Sequence, residues 1–198
     1  MTRNPIQKVS DKLQFRAIGI IFGEYKPISD ETINKGTICD KSGTILDSVV
    51  LGKTIPLIKK YVDLKKSHYW IVYPRNKNTE KLHLQIAGIW DPSNLNKAEQ
   101  DVSKNNEELL NVLDLQDNFF SIRGKLIYVN SEAKEIVLKI KTSNKFNKPN
   151  NNSFKISLKG EISRDYINSF ISVNTNREGN ALNLTSYEVI EGKTFENH

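Results

Sequence analysis

The sequence predicts an all-β protein of two similar halves, each with one short helix. Two observations carry the prediction. Apolar residues recur with period two through short segments rich in Val, Ile, Tyr and Phe, and Gly, Pro, Asn and Asp bound those segments. The order of segments in the first half then returns in the second. FRAIGII from Phe15 is matched by FSIRGKL from Phe120, with Phe, Gly and a final aliphatic residue at equivalent places.

In the first half, RAIGIIF at 16–22, TILDSVVL at 44–51, YWIVY at 69–73 and KLHLQIAGIW at 81–90 read as strands. The Lys41-Ser42-Gly43 turn joins NKGTICD to TILDSVV as a hairpin. Between the hairpin and YWIVY, TIPLIKKYVDLKK sets Ile55, Leu57, Ile58, Tyr61, Val62 and Leu64 at helix-like spacing. The second half repeats the plan with FSIRGKLIYV at 120–129, EIVLKIKT at 135–142 and FKISLKGEI at 154–162. A short RDYINSF follows, then FISVNT and ALNLTSYEVI around a turn at 176–180. Five strands with a helix between the third and fourth is the order of an OB-fold, whose first strand often carries a glycine where it bends to join both sheets. Gly19 and Gly124 are expected in that role. Tandem OB-like five-stranded barrels are therefore the expected fold, with paired SH3-like barrels or one large β-sandwich as alternatives.

Charge divides the 198 residues. The net charge is +6, distributed as +6 over residues 1–92, −4 over 93–118 and +4 over 119–198. The acidic stretch has no aromatic residue, and Ser103 stands as an N-cap ahead of Glu107, Glu108, Leu109, Leu110, Val112 and Leu113. It reads as a connector with a short helix. The expected domains are a barrel over 1–92, the connector over 93–118 and a second barrel over 119–198. TSNKFNKPNNNS at 142–153 reads as a flexible loop.

Several chemistries find no support. No apolar run approaches the length of a membrane-spanning helix, and the MTRNPIQKVSDK start has no apolar core of a signal peptide, so an internal compartment is expected. A lone Cys39 forms neither an intramolecular disulfide nor a thiolate metal cluster. LGKT at 51–54 and EGKT at 191–194 lack the first glycine of a phosphate loop, since Asp47 and Tyr187 stand there. Neither is expected to open a helix able to wrap a phosphate. His68, His83 and His198 are scattered and the carboxylates dispersed, so no metal, no cofactor and no catalysis are expected.

Asn, Lys and Ile, all with A/T-rich codons, make up 22, 23 and 22 residues, whereas Arg makes up only 6. WIVYPRNKNTEKLHLQIAGIW at 70–90, with RAIGIIFGEY and the LGK at 51–53, resembles a protein family of cyanobacteria and red-algal plastids with OB-like domains. The resemblance covers most of the first half. It implies a plastid stroma or a cyanobacterial cytoplasm as the compartment, and it supplies no catalytic residue.

The strands of the second half suggest a binding face. Alternation turns Ile122, Leu126 and Tyr128 inward and Arg123 and Lys125 outward. Ile136, Leu138 and Ile140 point in and Lys139 and Lys141 out, and Phe154, Ile156 and Leu158 point in and Lys155 and Lys159 out. Were the three strands adjacent, six cations would share one face, with Phe119, Tyr128 and Phe146 near its rim as stacking aromatics. In the first half, Tyr69, Tyr73, Arg75, His83 and Gln85 are expected to form a contact patch, with Trp70 and Trp90 packed as core or rim. The reading is a non-catalytic nucleic-acid-binding protein that holds single-stranded RNA or DNA. The alternative is a scaffold or assembly subunit of a polymerase, ribosome or photosynthetic complex that uses the same faces for protein contacts.

Overall fold

The computed structural model describes residues 5–77, 81–90, 117–142 and 152–192. The connector over 93–118, apart from Asp117 and Asn118, lies outside the described residues, as do its Ser103 cap and most of the 142–153 loop. By compactness the chain divides into two units, Met1–Gln7, Gly19–Tyr73 and Leu84–Phe119 in the first, and Lys8–Ile18, Pro74–His83 and Phe120–His198 in the second. Two pieces of the sequence's first half, an N-terminal arm and a hairpin tip, thus belong to the second unit.

The first barrel is made of β1 (Arg16–Pro27), β2 (Lys35–Asp40), β3 (Ile45–Val50), β4 (His68–Lys77) and β5 (Lys81–Trp90), with helix α1 (Ile55–Tyr61) between β3 and β4. Its strands run in the order β2-β3-β5-β4-β1, and β1 closes the ring by pairing with β2. Asp40 fixes the β2–β3 turn, its carboxylate accepting from the Ser42 and Thr44 amides at 2.9 Å each. Helix α1 begins with Pro56 in its first turn and ends where Val62 turns extended. It is therefore shorter than the expected stripe: Ile58 is buried, while Leu57 and Tyr61 are exposed. LGKT leads into this expected helix but builds no phosphate loop there. That helix has only seven residues, and Thr54 is committed to the barrel, its hydroxyl donating to Ala87 O at 2.9 Å.

The second barrel repeats the order. It holds β6 (Phe119–Asn130), β7 (Glu135–Lys141), β8 (Ser153–Lys159), β9 (Phe170–Glu178) and β10 (Ala181–Glu191), with a single 3-10 turn at Arg164–Tyr166 where an OB-fold places its helix. The strands run β6-β7-β8-β10-β9, with β6 closing on β9 and β10 parallel to β8. Inward residues Ile122, Leu126, Ile136, Leu138, Ile156 and Leu158 are all essentially inaccessible. Both halves are OB-like barrels.

Closing five strands requires the first strand to pair on both sides and so to bend between partners. In the first barrel β1 pairs with β4 over Gly19–Gly23 and with β2 over Gly23–Pro27. The change of partner falls at Gly23. This corrects the expectation for Gly19, which lies inside the β4 pairing opposite Val72. A side chain on Gly23 would put its Cβ 2.5 Å from Cys39 O, and on Gly124, the equivalent in β6, 2.7 Å from Lys139 O. Trp70 locks the first bend, its indole N–H donating to Gly23 O at 2.8 Å in a fully buried position.

Gly23→Ala is expected to destabilise the chain by about 1–3 kcal/mol through backbone displacement. Gly52→Ala, whose Cβ meets no atom within 4 Å, should change stability by less than about 0.5 kcal/mol. Urea unfolding of the two variants makes the comparison, and equal losses would contradict the closure argument.

Candidate nucleic-acid interface

Strand adjacency decides whether the second barrel's cations meet. β6, β7 and β8 are neighbours, and Lys125 lies directly opposite Lys139, which lies directly opposite Lys155. Three lysines therefore form one row across three strands, about 10 Å long at ordinary strand spacing. Lys141 follows on β7 opposite Ser153, and Lys159 ends β8 opposite Glu135. All five lysines are exposed. Among the described residues of this barrel Lys134 pairs with Glu161 at 3.1 Å, and none of Lys125, Lys139 or Lys155 has a carboxylate partner. Like charges directly opposite each other destabilise a sheet. The row is a cost to the fold that a bound polyanion would remove.

Arg123 corrects the expectation of a sixth cation. It is only 6% exposed, because the Lys8–Ile18 arm covers the outer side of β6 at this point and residues 120–124 are buried on both faces. Its guanidinium donates from Nη2 to Lys12 O at 2.6 Å and from Nε to Gln14 O at 3.2 Å. Beside it Arg16 donates to Ser121 Oγ at 2.6 Å. Burial, and then the Arg123 charge, pull the Arg16 pKa below its ordinary value. Arg123 is the clamp of the arm rather than a surface cation.

Tyr128 is the second correction. A register irregularity between Leu126 and Tyr128 inserts one residue into β6, so the core positions become Leu126 and Val129, and Tyr128 turns outward with 46% of its surface exposed. It stands opposite Val137, one row from the lysines. Phe119 is half-buried at the start of β6, and Phe146 lies outside the described residues.

The contact patch expected of the first half divides between the units. Tyr69, Tyr73 and Gln85 are half-buried in the first, where the Tyr69 ring packs 4.7 Å from Phe22 and 5.5 Å from Trp90. Arg75 and His83 belong to the second unit. Arg75 stacks its guanidinium 3.8 Å above the Phe154 ring. Next to it Asn76 Oδ1 accepts from the Ser157 amide at 3.0 Å, which fixes the hairpin tip to the edge of β8. Sequence alternation had Phe154 wholly inside, and gave Asn76 no role. A cleft of about 710 Å³ opens here, and Arg75, Tyr128, Glu135 and Lys155 are among its walls.

Residues 17–97 match the model of the PatR RNA-binding protein, N-terminal OB-fold domain, and residues 122–191 match the model of a cyanobacterial OB-fold-like RNA-binding domain, C-terminal. The chain belongs to this cyanobacterial OB-fold family. No curated protein matches it. The two matches fall on the two barrels, and the family descriptions make this a nucleic-acid-binding protein.

Because Arg123 holds the arm, Arg123→Met is expected to cost about 2–3 kcal/mol by leaving two carbonyls without a charged donor. The same variant should leave the salt dependence of nucleic-acid binding unchanged. A normal unfolding midpoint with a shallower salt slope would return Arg123 to the surface.

Proposed function

We propose that the protein binds single-stranded RNA on the outer face of β6, β7 and β8, as a binding protein without catalysis. The observation that carries the reading is the register row Lys125, Lys139 and Lys155. Three cations at strand spacing, without a carboxylate partner among the described residues, suit a phosphate backbone laid across the strands, and Lys141 extends the same surface. Exposed Tyr128 and the Arg75 guanidinium above Phe154 offer flat surfaces beside the row. Unpaired bases can stack on them, whereas bases inside a duplex cannot reach them. RNA is preferred over DNA because both matched family models carry that description. The groups gathered on the face serve charge and stacking, with no nucleophile beside a general base. A protein partner would have to bring carboxylates to the row, and nothing in the family descriptions supports one. The compartment proposed is the plastid stroma or a cyanobacterial cytoplasm.

Fluorescence anisotropy with labelled dodecauridylate over a series of salt concentrations tests this. Contacts from Lys125, Lys139, Lys141 and Lys155 should give a slope of log affinity against log salt of about −3, at about −0.7 for each phosphate. Replacing all four with Gln should flatten the line without lowering the unfolding midpoint, because exposed lysines contribute little packing and their mutual repulsion is relieved. An unchanged slope in the four-lysine variant would contradict the placement of RNA on this face.

A further inference from the structure

At the far end of the lysine face the N-terminal arm builds a cavity of about 650 Å³, lined by Phe15, Phe170, Lys125, Lys139 and Lys141 among others. Phe15 is half-buried and rests edge-on against the buried Phe170, ring centroids 5.1 Å apart. Lys141 Nζ stands 5.9 Å from the centre of the Phe15 ring. The aromatic is not there by chance of a loose terminus. Arg123 grips the carbonyls of Lys12 and Gln14, and Arg16 grips Ser121, so the residues on either side of Phe15 are tied to the barrel by one buried and one half-buried arginine. The Arg123 guanidinium also lies 5.7 Å from the Phe170 ring centre.

We propose that this cavity is a single-nucleotide site. One unpaired base of the bound strand leaves its neighbours and stacks on Phe15, while its flanking phosphates lie on Lys139 and Lys141. The inference rests on the RNA-binding reading and deepens it. The lysine row alone holds a backbone anywhere along a strand, but a cavity walled by one fixed ring gives the strand a register. The volume exceeds that of a base, leaving room for its ribose, and the walls carry an aromatic surface for the base and three ammonium groups against the single Glu191 carboxylate, a net positive lining for its phosphates. Arg123 and Arg16 are positioning residues, since they act on the nucleotide only through the arm.

Two measurements on the full chain test the proposal. In the first, anisotropy with dodecauridylate compares Phe15→Leu and Phe15→Trp with the unmodified protein. Leu keeps an apolar side chain against Phe170 but loses the stacking surface, and affinity should fall about 5- to 150-fold, the range measured for one stacked base. The salt slope should stay as it was, because no cation is lost. Phe15→Trp should recover most of the affinity. In the second, dodecauridylate carrying 5-iodouridine is irradiated with the unmodified protein, and the adduct is mapped by mass spectrometry. The adduct is expected on Phe15. A steep salt slope with undiminished binding by Phe15→Leu, or with adducts only at Tyr128 or Tyr69, overturns the nucleotide site and leaves the lysine face standing. Absence of salt-dependent binding by the unmodified protein overturns the RNA reading itself, and this site with it.

Discussion

Closure of a five-stranded sheet is the constraint from which the rest follows. Strand one of each barrel must pair on both edges, and at the point where it changes partner there is no room for a side chain. Gly23 fills that point in the first barrel, and at Gly23 and at Gly124 of β6 alike a backbone carbonyl lies where a Cβ would go. Once the ring is closed, every strand residue faces either the core or the outside, with few intermediate choices. That is what turns a lysine-rich sequence into a defined surface. Lys139, Lys141, Lys155 and Lys159 point outward because Ile136, Leu138, Ile140, Ile156 and Leu158 fill the interior.

The face this produces is costly for folding, and binding is the use proposed for it. Lys125, Lys139 and Lys155 repel one another across adjacent strands. The cations that are paired or buried behave differently. Lys134 has Glu161, and Arg123 has two carbonyls. The same barrel thus separates charge that holds structure together from charge left for a partner.

Much of this was legible in the sequence. Strand order, the hairpin turns and the outward lysines of β7 and β8 follow from uninterrupted alternation. β6 was not legible in the same way, for two physical reasons. A one-residue bulge before Tyr128 reverses the phase, and no residue type announces it. At Arg123 the strand is covered on its outer side by a segment more than a hundred residues earlier in the chain. The same kind of long-range docking takes Arg75 and His83 out of the first barrel's expected patch and sets Arg75 over Phe154. Phe15 carried a signal that repeat comparison alone did not use. It matches Phe120 in sequence, yet Phe120 is fully buried whereas Phe15 is half-open, so the two copies have diverged in environment.

Lysine footprinting tests the central claim most directly. The full chain is acetylated with and without a saturating single-stranded RNA, and each lysine's modification is read by mass spectrometry. Lys125, Lys139, Lys141 and Lys155 should lose reactivity when RNA is bound, whereas exposed Lys53, Lys59, Lys60 and Lys66 of the first unit should react as before. Protection of the first-unit lysines, with the row on β6, β7 and β8 still fully reactive, would contradict the account.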